Sequence, residues 1–196
     1  MPDETELKPE KRFFYGWVML AAGGAVMMMH GSMFAYGFSA FFIPLATALD
    51  TSRGYMALAF SFTRIESGIL GPIEGFLIDR FGPRRIMYIG FAIFGLGFIA
   101  LSRIESLLGF YIVFPFLVLG ASFSGFLPVI TATQNWFSRR RGLATGIVSS
   151  GMNLGGTLVG VVALSISTHG WRSTALVIGI LIWILGFPLA TMIRHR

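Results

Sequence analysis

Six long runs of apolar residues follow one another along the chain, and short polar stretches separate them. Gly and Pro occur inside the runs without interrupting their hydrophobic character. A helix needs about 20 mostly apolar residues to cross a bilayer, so the pattern predicts an all-α membrane protein with six transmembrane helices. The predicted spans are roughly residues 14–45, 54–78, 85–102, 107–136, 142–167 and 171–193.

The composition agrees with a membrane location. Of the 196 residues, 55% are hydrophobic and 12% are charged, whereas a soluble domain usually has about 25% charged residues. The net charge is +6, but the basic residues form small clusters between the apolar runs, which argues against nucleic acid as a partner. The chain has no cysteine and no Walker sequence, metal-ligand cluster or nucleophile constellation, so we expect no enzyme activity, cofactor or metal.

The basic clusters predict the orientation of the chain in the membrane. Lys and Arg accumulate in the cytoplasmic loops of membrane proteins, so we expect both termini to be cytoplasmic, in a plasma membrane or a bacterial inner membrane. Residues 1–13 and 194–196 are then the cytoplasmic ends of a bundle formed by residues 14–193. The cytoplasmic cluster residues are Lys8, Lys11, Arg12, Arg80, Arg84, Arg85, Arg139, Arg140, Arg141, Arg194 and Arg196; Arg53, Arg103 and Arg172 fall on the opposite side.

A weak internal echo indicates a repeat. The stretch DRFGPR (79–84) follows the second predicted span, and STHGWR (167–172) follows the fifth, about 88 residues later and on the opposite predicted face. Three helices followed by three inverted helices are a common building unit of secondary transporters. The echo therefore predicts two inverted three-helix repeats.

Two motifs carry a resemblance to a known family. The stretch GFLIDRFGPRR (75–85) resembles the signature between the second and third helices of the major facilitator superfamily, with Pro83 at a position that is often basic. The stretch NWFSRRRGLATGIVSSGMNLGG (135–156) resembles the fifth-helix signature of monocarboxylate porters and oxalate–formate exchangers, and YGW (15–17) resembles the start of their first helix. The matching residues are Gly75, Asp79, Arg80, Gly82, Arg84 and Arg85 in the first motif, and Arg139, Arg140, Gly146 and Gly151 in the second.

The resemblance implies one half of a major facilitator fold and a function in transport. The expected substrates are small organic anions such as monocarboxylates, carried by alternating access with residues 75–85 as a cytoplasmic gate. In this family the aspartate that corresponds to Asp79 belongs to a latch against a second six-helix half, which this sequence does not contain. Besides the lipid bilayer, the expected partner is therefore such a half, from the same gene continued, a separate chain or a homodimer.

Span two contains charged residues at membrane depth. Arg64 and Glu66 lie near the predicted midplane, where each charge needs a partner or a wet cavity. Arg64 is the leading candidate for binding the anion, because a guanidinium matches a carboxylate; the alternative is a structural pair with Glu66, Glu74 or a carbonyl. Glu66 is a candidate proton carrier, while Glu74 is expected to lie shallower and to be structural. Arg64 shares one helix face with a stripe that suits a close helix contact: Gly68, Gly71, Gly75 and Asp79.

Three further polar residues are candidates for the substrate site. His30 lies near the middle of span one, where an imidazole can bind substrate or carry a proton, or can simply be a hydrogen-bonded packing residue. Tyr36 offers a hydroxyl in the same span. Asn153 in span five must bond something at its depth, either substrate or another helix, and Ser122 and Ser124 suggest helix contacts.

Two departures from family patterns limit the prediction. Span four lacks the arginine that many proton-coupled members have, and span five lacks the Gly-Pro of drug antiporters. Coupling to a proton is therefore open. The alternative function is a non-transporting six-helix membrane subunit, or a truncated remnant, with a role in assembly or regulation.

Overall fold

The computed structural model describes residues 15–137 and 139–193, except for the side chains of Arg53 and residues 62–67. The predicted cytoplasmic ends, 1–13 and 194–196, lie outside the described residues. The described chain is helical, and its elements are α1 (Gly16–His30), a π-helical segment (Gly31–Ala35), α2 (Ser39–Ala48), α3 (Arg53–Phe81), α4 (Pro83–Leu101), α5 (Leu107–Ser124), α6 (Phe126–Trp136), α7 (Arg141–Gly156) and α8 (Val159–Met192).

Four segments are long and apolar enough to cross a membrane by length and composition: Gly16–Ala48, Pro83–Leu101, Leu107–Trp136 and Arg141–Met192. The last has 52 residues, about 78 Å of helix at 1.5 Å per residue, which is more than twice the hydrocarbon thickness. Its helix α8 is interrupted at Gly170, where the backbone leaves the helical region. Helix α3 is not in this set; its 29 residues are less apolar on average.

The described helices cover the predicted spans, but span five is divided between α7 and α8, and α8 continues through the predicted boundary between spans five and six. Span two was predicted to end at residue 78, but α3 continues to Phe81 and ends at Gly82. Gly82 has φ 82° and ψ 150°, a conformation that only glycine adopts without strain. It lets α4 begin at once, with Pro83 at its first position.

Breaks in the helices recur at one spacing. Gly170 has φ 81° and ψ 159°, almost the geometry of Gly82, 88 residues earlier. Helices α3 and α7 begin at Arg53 and Arg141, which are again 88 residues apart. The same interval separates Gly37, in the break before α2, from Gly125, in the break before α6. The echo noted in the sequence therefore has a counterpart in backbone geometry.

The bundle is held together by aromatic packing and by close helix contacts. Helix α4 packs against α5 and α8, and α1 packs against α7. The buried core is rich in phenylalanine, and ring centroids of Phe38 and Phe114 lie 5.0 Å apart. The outer surface is apolar too, with side chains such as Leu108 (70% exposed) and Ile69 (63%). Helices that are apolar on all sides are suited to lipid.

Candidate functional site

His30 ends α1 and connects it to α5. Its ring is buried, with Nδ1 3.0 Å from the carbonyl oxygen of Val26 and Nε2 3.1 Å from the hydroxyl oxygen of Ser124. A carbonyl oxygen can only accept, so Nδ1 donates the first of these hydrogen bonds. The ring also stacks on Phe94, with centroids 5.1 Å apart. Both nitrogens of His30 are thus occupied by protein groups.

Glu74, which the sequence predicts to be structural, lies in the interior of the bundle. Its side chain is buried, and its Oε2 accepts a hydrogen bond of 2.7 Å from the Ser122 hydroxyl. Ser122 lies halfway along the span Leu107–Trp136, so this contact joins Glu74 to the middle of that span. Glu74 is nearer to an end of α3 than Arg64 and Glu66 are, and the expectation that it lies shallower than these two residues stays a prediction.

The other carboxylate oxygen of Glu74 is buried without a hydrogen-bond partner in the part of the chain that the structure describes. Buried polar atoms are nearly always hydrogen-bonded, because an unpaired one loses its interaction with water and gains nothing in return. An orphan oxygen of this kind indicates a group that is completed by a proton, a water molecule or a ligand.

Glu74 and His30 line one cavity of about 430 Å³. Helices α1, α3, α5, α6 and α7 contribute its wall, and apart from these two residues and Ser122 the wall is apolar. The lining residues are Met27, His30, Phe34, Ala35, Gly71, Glu74, Val118, Ala121, Ser122, Phe126, Leu127 and Met152. A small apolar cavity with a few placed polar groups is the usual form of a small-molecule site.

A second cavity of about 610 Å³ shares Phe34 and Ala35 with the first. Its wall is formed mainly by aromatic rings. Its residues belong to the π-helical segment, the break after it, and the parts of α2, α3 and α5 nearer the predicted outer face. Phe42 and Phe60 lie 5.8 Å apart in this wall, and Phe60 lies 5.0 Å from Phe114. The two cavities together extend from mid-bundle toward that face.

Tyr36 and Asn153, predicted independently, contact each other. The Tyr36 hydroxyl donates a hydrogen bond of 2.9 Å to Oδ1 of Asn153. This bond joins the segment after the π-helix to α7, so it supplies the helix contact that was one of the two interpretations of Asn153. Neither residue lines the cavity of Glu74, although Met152 beside Asn153 does.

The side chains of Arg64 and Glu66 lie outside the described residues, so their predicted roles stay predictions. The glycine stripe on the same helix can be assessed. A Cβ added at Gly68, Gly71 or Gly75 would meet nothing within 4 Å. The expected close helix contact along this stripe is therefore not formed within the described chain.

The residues of the first motif lie at the junction of α3 and α4. Asp79 and Arg85 are exposed, and Asp79 makes no ion pair within the described residues. The guanidinium of Arg80 lies over the Phe81 ring at 5.6 Å. That of Arg84 lies over the Tyr88 ring at 5.7 Å and donates a hydrogen bond of 3.3 Å to its hydroxyl. The acidic group of the motif is thus available to a partner.

The residues of the second motif divide into two kinds. Arg139 and Arg140 are exposed before α7, and Gly146 has open space beside its Cα. Gly151 instead packs directly on the backbone of α1, where a Cβ would overlap the carbonyl group of Gly24. Only the second glycine of this pair is required by packing in the described bundle.

The described residues contain no group of three or more His, Cys, Asp or Glu side chains that could hold a metal ion. The site therefore consists of a carboxyl, an imidazole and hydroxyl groups inside an apolar helical bundle.

With its apolar outer face and its long spans, the chain is a multi-pass integral membrane protein.

The chain belongs to the Major Facilitator Superfamily, whose family model matches residues 13–196. Membership of this transporter family agrees with the prediction that the chain is not an enzyme.

Individual relatives are more distant. The uncharacterized MFS-type transporter YcxA of Bacillus subtilis is 29% identical over 80% of this chain and 39% of its own length. Monocarboxylate transporter 11 of Homo sapiens is 28% identical over 84% of this chain and 35% of its own length. The oxalate:formate antiporter of Oxalobacter formigenes is 24% identical over 87% of this chain and 42% of its own length. The chain thus spans less than half the length of these relatives.

Proposed function

We propose that this chain forms one six-helix half of a secondary transporter for small organic anions such as monocarboxylates. The observation that carries the proposal is a mid-bundle cavity with few polar groups in a chain of this superfamily. Relatives named as a monocarboxylate transporter and an oxalate:formate antiporter support the substrate class. Substrate would bind between this bundle and a second one, and the two would rock about it.

Residues 14–193 form the bundle in this proposal, as two inverted three-helix repeats with both termini cytoplasmic. The 88-residue interval between helix starts, between helix breaks and between Gly82 and Gly170 supports the repeat. The basic residues between α3 and α4 and before α7 support the orientation. Residues 75–85 would gate the cytoplasmic side, with exposed Asp79 available to the second half.

Arg64, His30, Tyr36 and Asn153 form the proposed substrate site. His30 borders the cavity, while the Tyr36–Asn153 hydrogen bond would hold its outer wall in place. Arg64 would supply the positive charge that an anion requires, since no Lys or Arg lines the described part of the cavity. The proposal therefore depends most on Arg64.

The test is flux into proteoliposomes that contain the protein as its native gene encodes it. We expect uptake of labelled formate, oxalate or lactate above that of empty vesicles, and a loss of at least tenfold in Arg64→Ala, because removing one charged hydrogen-bond partner costs about 1.5–3 kcal/mol. Arg103→Ala, an exposed loop position, is the matched control. Absence of flux for all three anions would favour the alternative, a non-transporting six-helix subunit.

A further inference from the structure

Glu74 has no function in the site as proposed so far, yet it is the most unusual side chain in the cavity. It is only 3% exposed, and one of its oxygens has no partner among the described residues. A charged carboxylate at this depth would need compensation by a donor or a cation. The question is what completes this group.

The hydrogen bond from Ser122 occupies one carboxylate oxygen of Glu74 and leaves the other with free hydrogen-bonding capacity. The Ser122 hydroxyl has one hydrogen, and it donates this hydrogen to Oε2 of Glu74 at 2.7 Å. While Ser122 donates to Oε2, the acid hydrogen of a protonated Glu74 is placed on Oε1, the oxygen without a partner among the described residues. The neutral form presents a donor at this oxygen, and the charged form presents lone pairs.

The surroundings of Glu74 offer little else to neutralise it. From α1 the titratable group at the cavity is His30, whose nitrogens already face Val26 and Ser124. Helix α5 contributes the Ser122 hydroxyl, while α6 and α7 contribute only the apolar side chains of Phe126, Leu127 and Met152. On its own helix, the side chains of residues 62–67 are not described, so the test includes a variant of Glu66.

We propose that Glu74 is the residue at which a proton enters and leaves this cavity, and that an organic anion binds there only while Glu74 carries that proton. The inference deepens the proposed function and rests on it. It assigns to Glu74 the role that the sequence suggested for Glu66.

The cycle balances as follows. The Glu74 carboxylate takes one proton from water on the loading side, which forms Oε1–H. This O–H donates a hydrogen bond to a carboxylate oxygen of the anion. On the opposite side the anion leaves, the proton then dissociates from Oε1 into water, and the carboxylate is restored. One proton and one monovalent anion have moved in the same direction, with no net charge transferred.

The deciding variant is Glu74→Gln. Glutamine keeps the shape of the side chain, accepts from Ser122 through its oxygen and offers an N–H donor to the anion, but it cannot release a proton. We expect anion exchange between inside and outside to continue and to be independent of pH between about pH 5 and 8. Accumulation driven by a pH gradient should be lost. In the wild type, anion affinity should fall about tenfold per pH unit once Glu74 is deprotonated.

Two further glutamate variants make the assignment specific. Glu105→Gln makes the same chemical change at an exposed position between α4 and α5 and should behave as the wild type. If Glu66→Gln, and not Glu74→Gln, removes the coupling, the proton binds at Glu66 and the inference is wrong. Unchanged pH-driven accumulation in Glu74→Gln would overturn it as well.

A measurement without substrate separates this inference from the proposed function. Infrared spectra of the protein in vesicles, recorded across the same pH range in H₂O and D₂O, report the C=O stretch of protonated carboxyl groups. We expect one titrating band that is present in the wild type and in Glu105→Gln and absent in Glu74→Gln. If the wild-type protein transports no anion in the flux assay, the proposed function is refuted. If a titrating band survives in Glu74→Gln, the assignment of the proton to Glu74 is refuted.

Discussion

Replacing Gly151 with alanine tests the close contact between α1 and α7. A Cβ at this position would lie 3.0 Å from the carbonyl carbon of Gly24 and 3.1 Å from its Cα, and nearer still to its oxygen. Ordinary contact between carbon atoms begins at about 3.5 Å, so the two backbones would have to separate by roughly 0.5–1 Å. The neighbouring Gly155 packs as closely on the segment that follows α1, because a Cβ added there would lie 3.0 Å from the Cα of Gly31. Separating the two backbones would also loosen this second contact.

The expected cost follows from overpacking. Extra methyl groups in a well-packed interior typically cost 1–3 kcal/mol, whereas alanine in place of glycine in an open helix position gains about 0.5–1 kcal/mol. Gly146 lies in the same helix and the same motif but has nothing within 4 Å of a Cβ. We therefore expect opposite signs for Gly151→Ala and Gly146→Ala.

The assay is thermal unfolding of the protein in detergent or nanodiscs, followed by tryptophan fluorescence. At about 2–4 °C per kcal/mol for a chain of this size, Gly151→Ala should unfold several degrees below the wild type, and Gly146→Ala at the same temperature or slightly above. If the two variants unfold together, α1 and α7 do not meet through Gly151, and the described packing of these helices is wrong.

Three further predictions concern the helix junctions, the predicted site and the orientation. Gly82→Ala should lower stability by about 1–3 kcal/mol, because its φ of 82° excludes other residues, while Gly142→Ala, in open space, should not; thermal unfolding compares them. Tyr36→Phe and Asn153→Ala should each cost about 0.5–1.5 kcal/mol, and the double variant no more than either alone; additive losses would mean that the bond contributes nothing. Glu105→Cys, in a chain without cysteine, should react with an impermeant maleimide added outside intact cells, and labelling only after lysis would reverse the proposed orientation.

The spans themselves could be predicted because their signal is local. An apolar run of sufficient length identifies a membrane helix whatever it packs against. The polar stretch around Gly82 interrupts the apolar pattern, so it was predicted to be a junction between two helices. Helix α3 does end there, with Gly82 as the residue after its last turn. The ends of spans one and two were both misplaced by almost one turn, since α2 continues to Ala48 and α3 to Phe81.

The site was harder to predict, because α1 and α5, which contribute His30 and Ser122, are apolar on every face. In α5 the residues Ser122 and Ser124 carry no periodic signal that would indicate which side faces the bundle interior. His30 could be recognised as a buried polar residue from sequence, but its partner Ser124 is 94 residues away. Glu74 was judged by its distance along one helix, although its contact with Ser122 determines its surroundings.

Sequence by itself therefore determined the class of protein, the order of the helices and the glycines at their junctions, because hydrophobic length and backbone sterics act within one segment. The tertiary structure alone decided which faces meet. It packed Gly151 against Gly24, directed Ser122 to Glu74, and left the other oxygen of this cavity-lining residue buried without a partner among the described residues. Helix rotation and tilt produce these contacts, and both result from how side chains of distant segments fill the space between them.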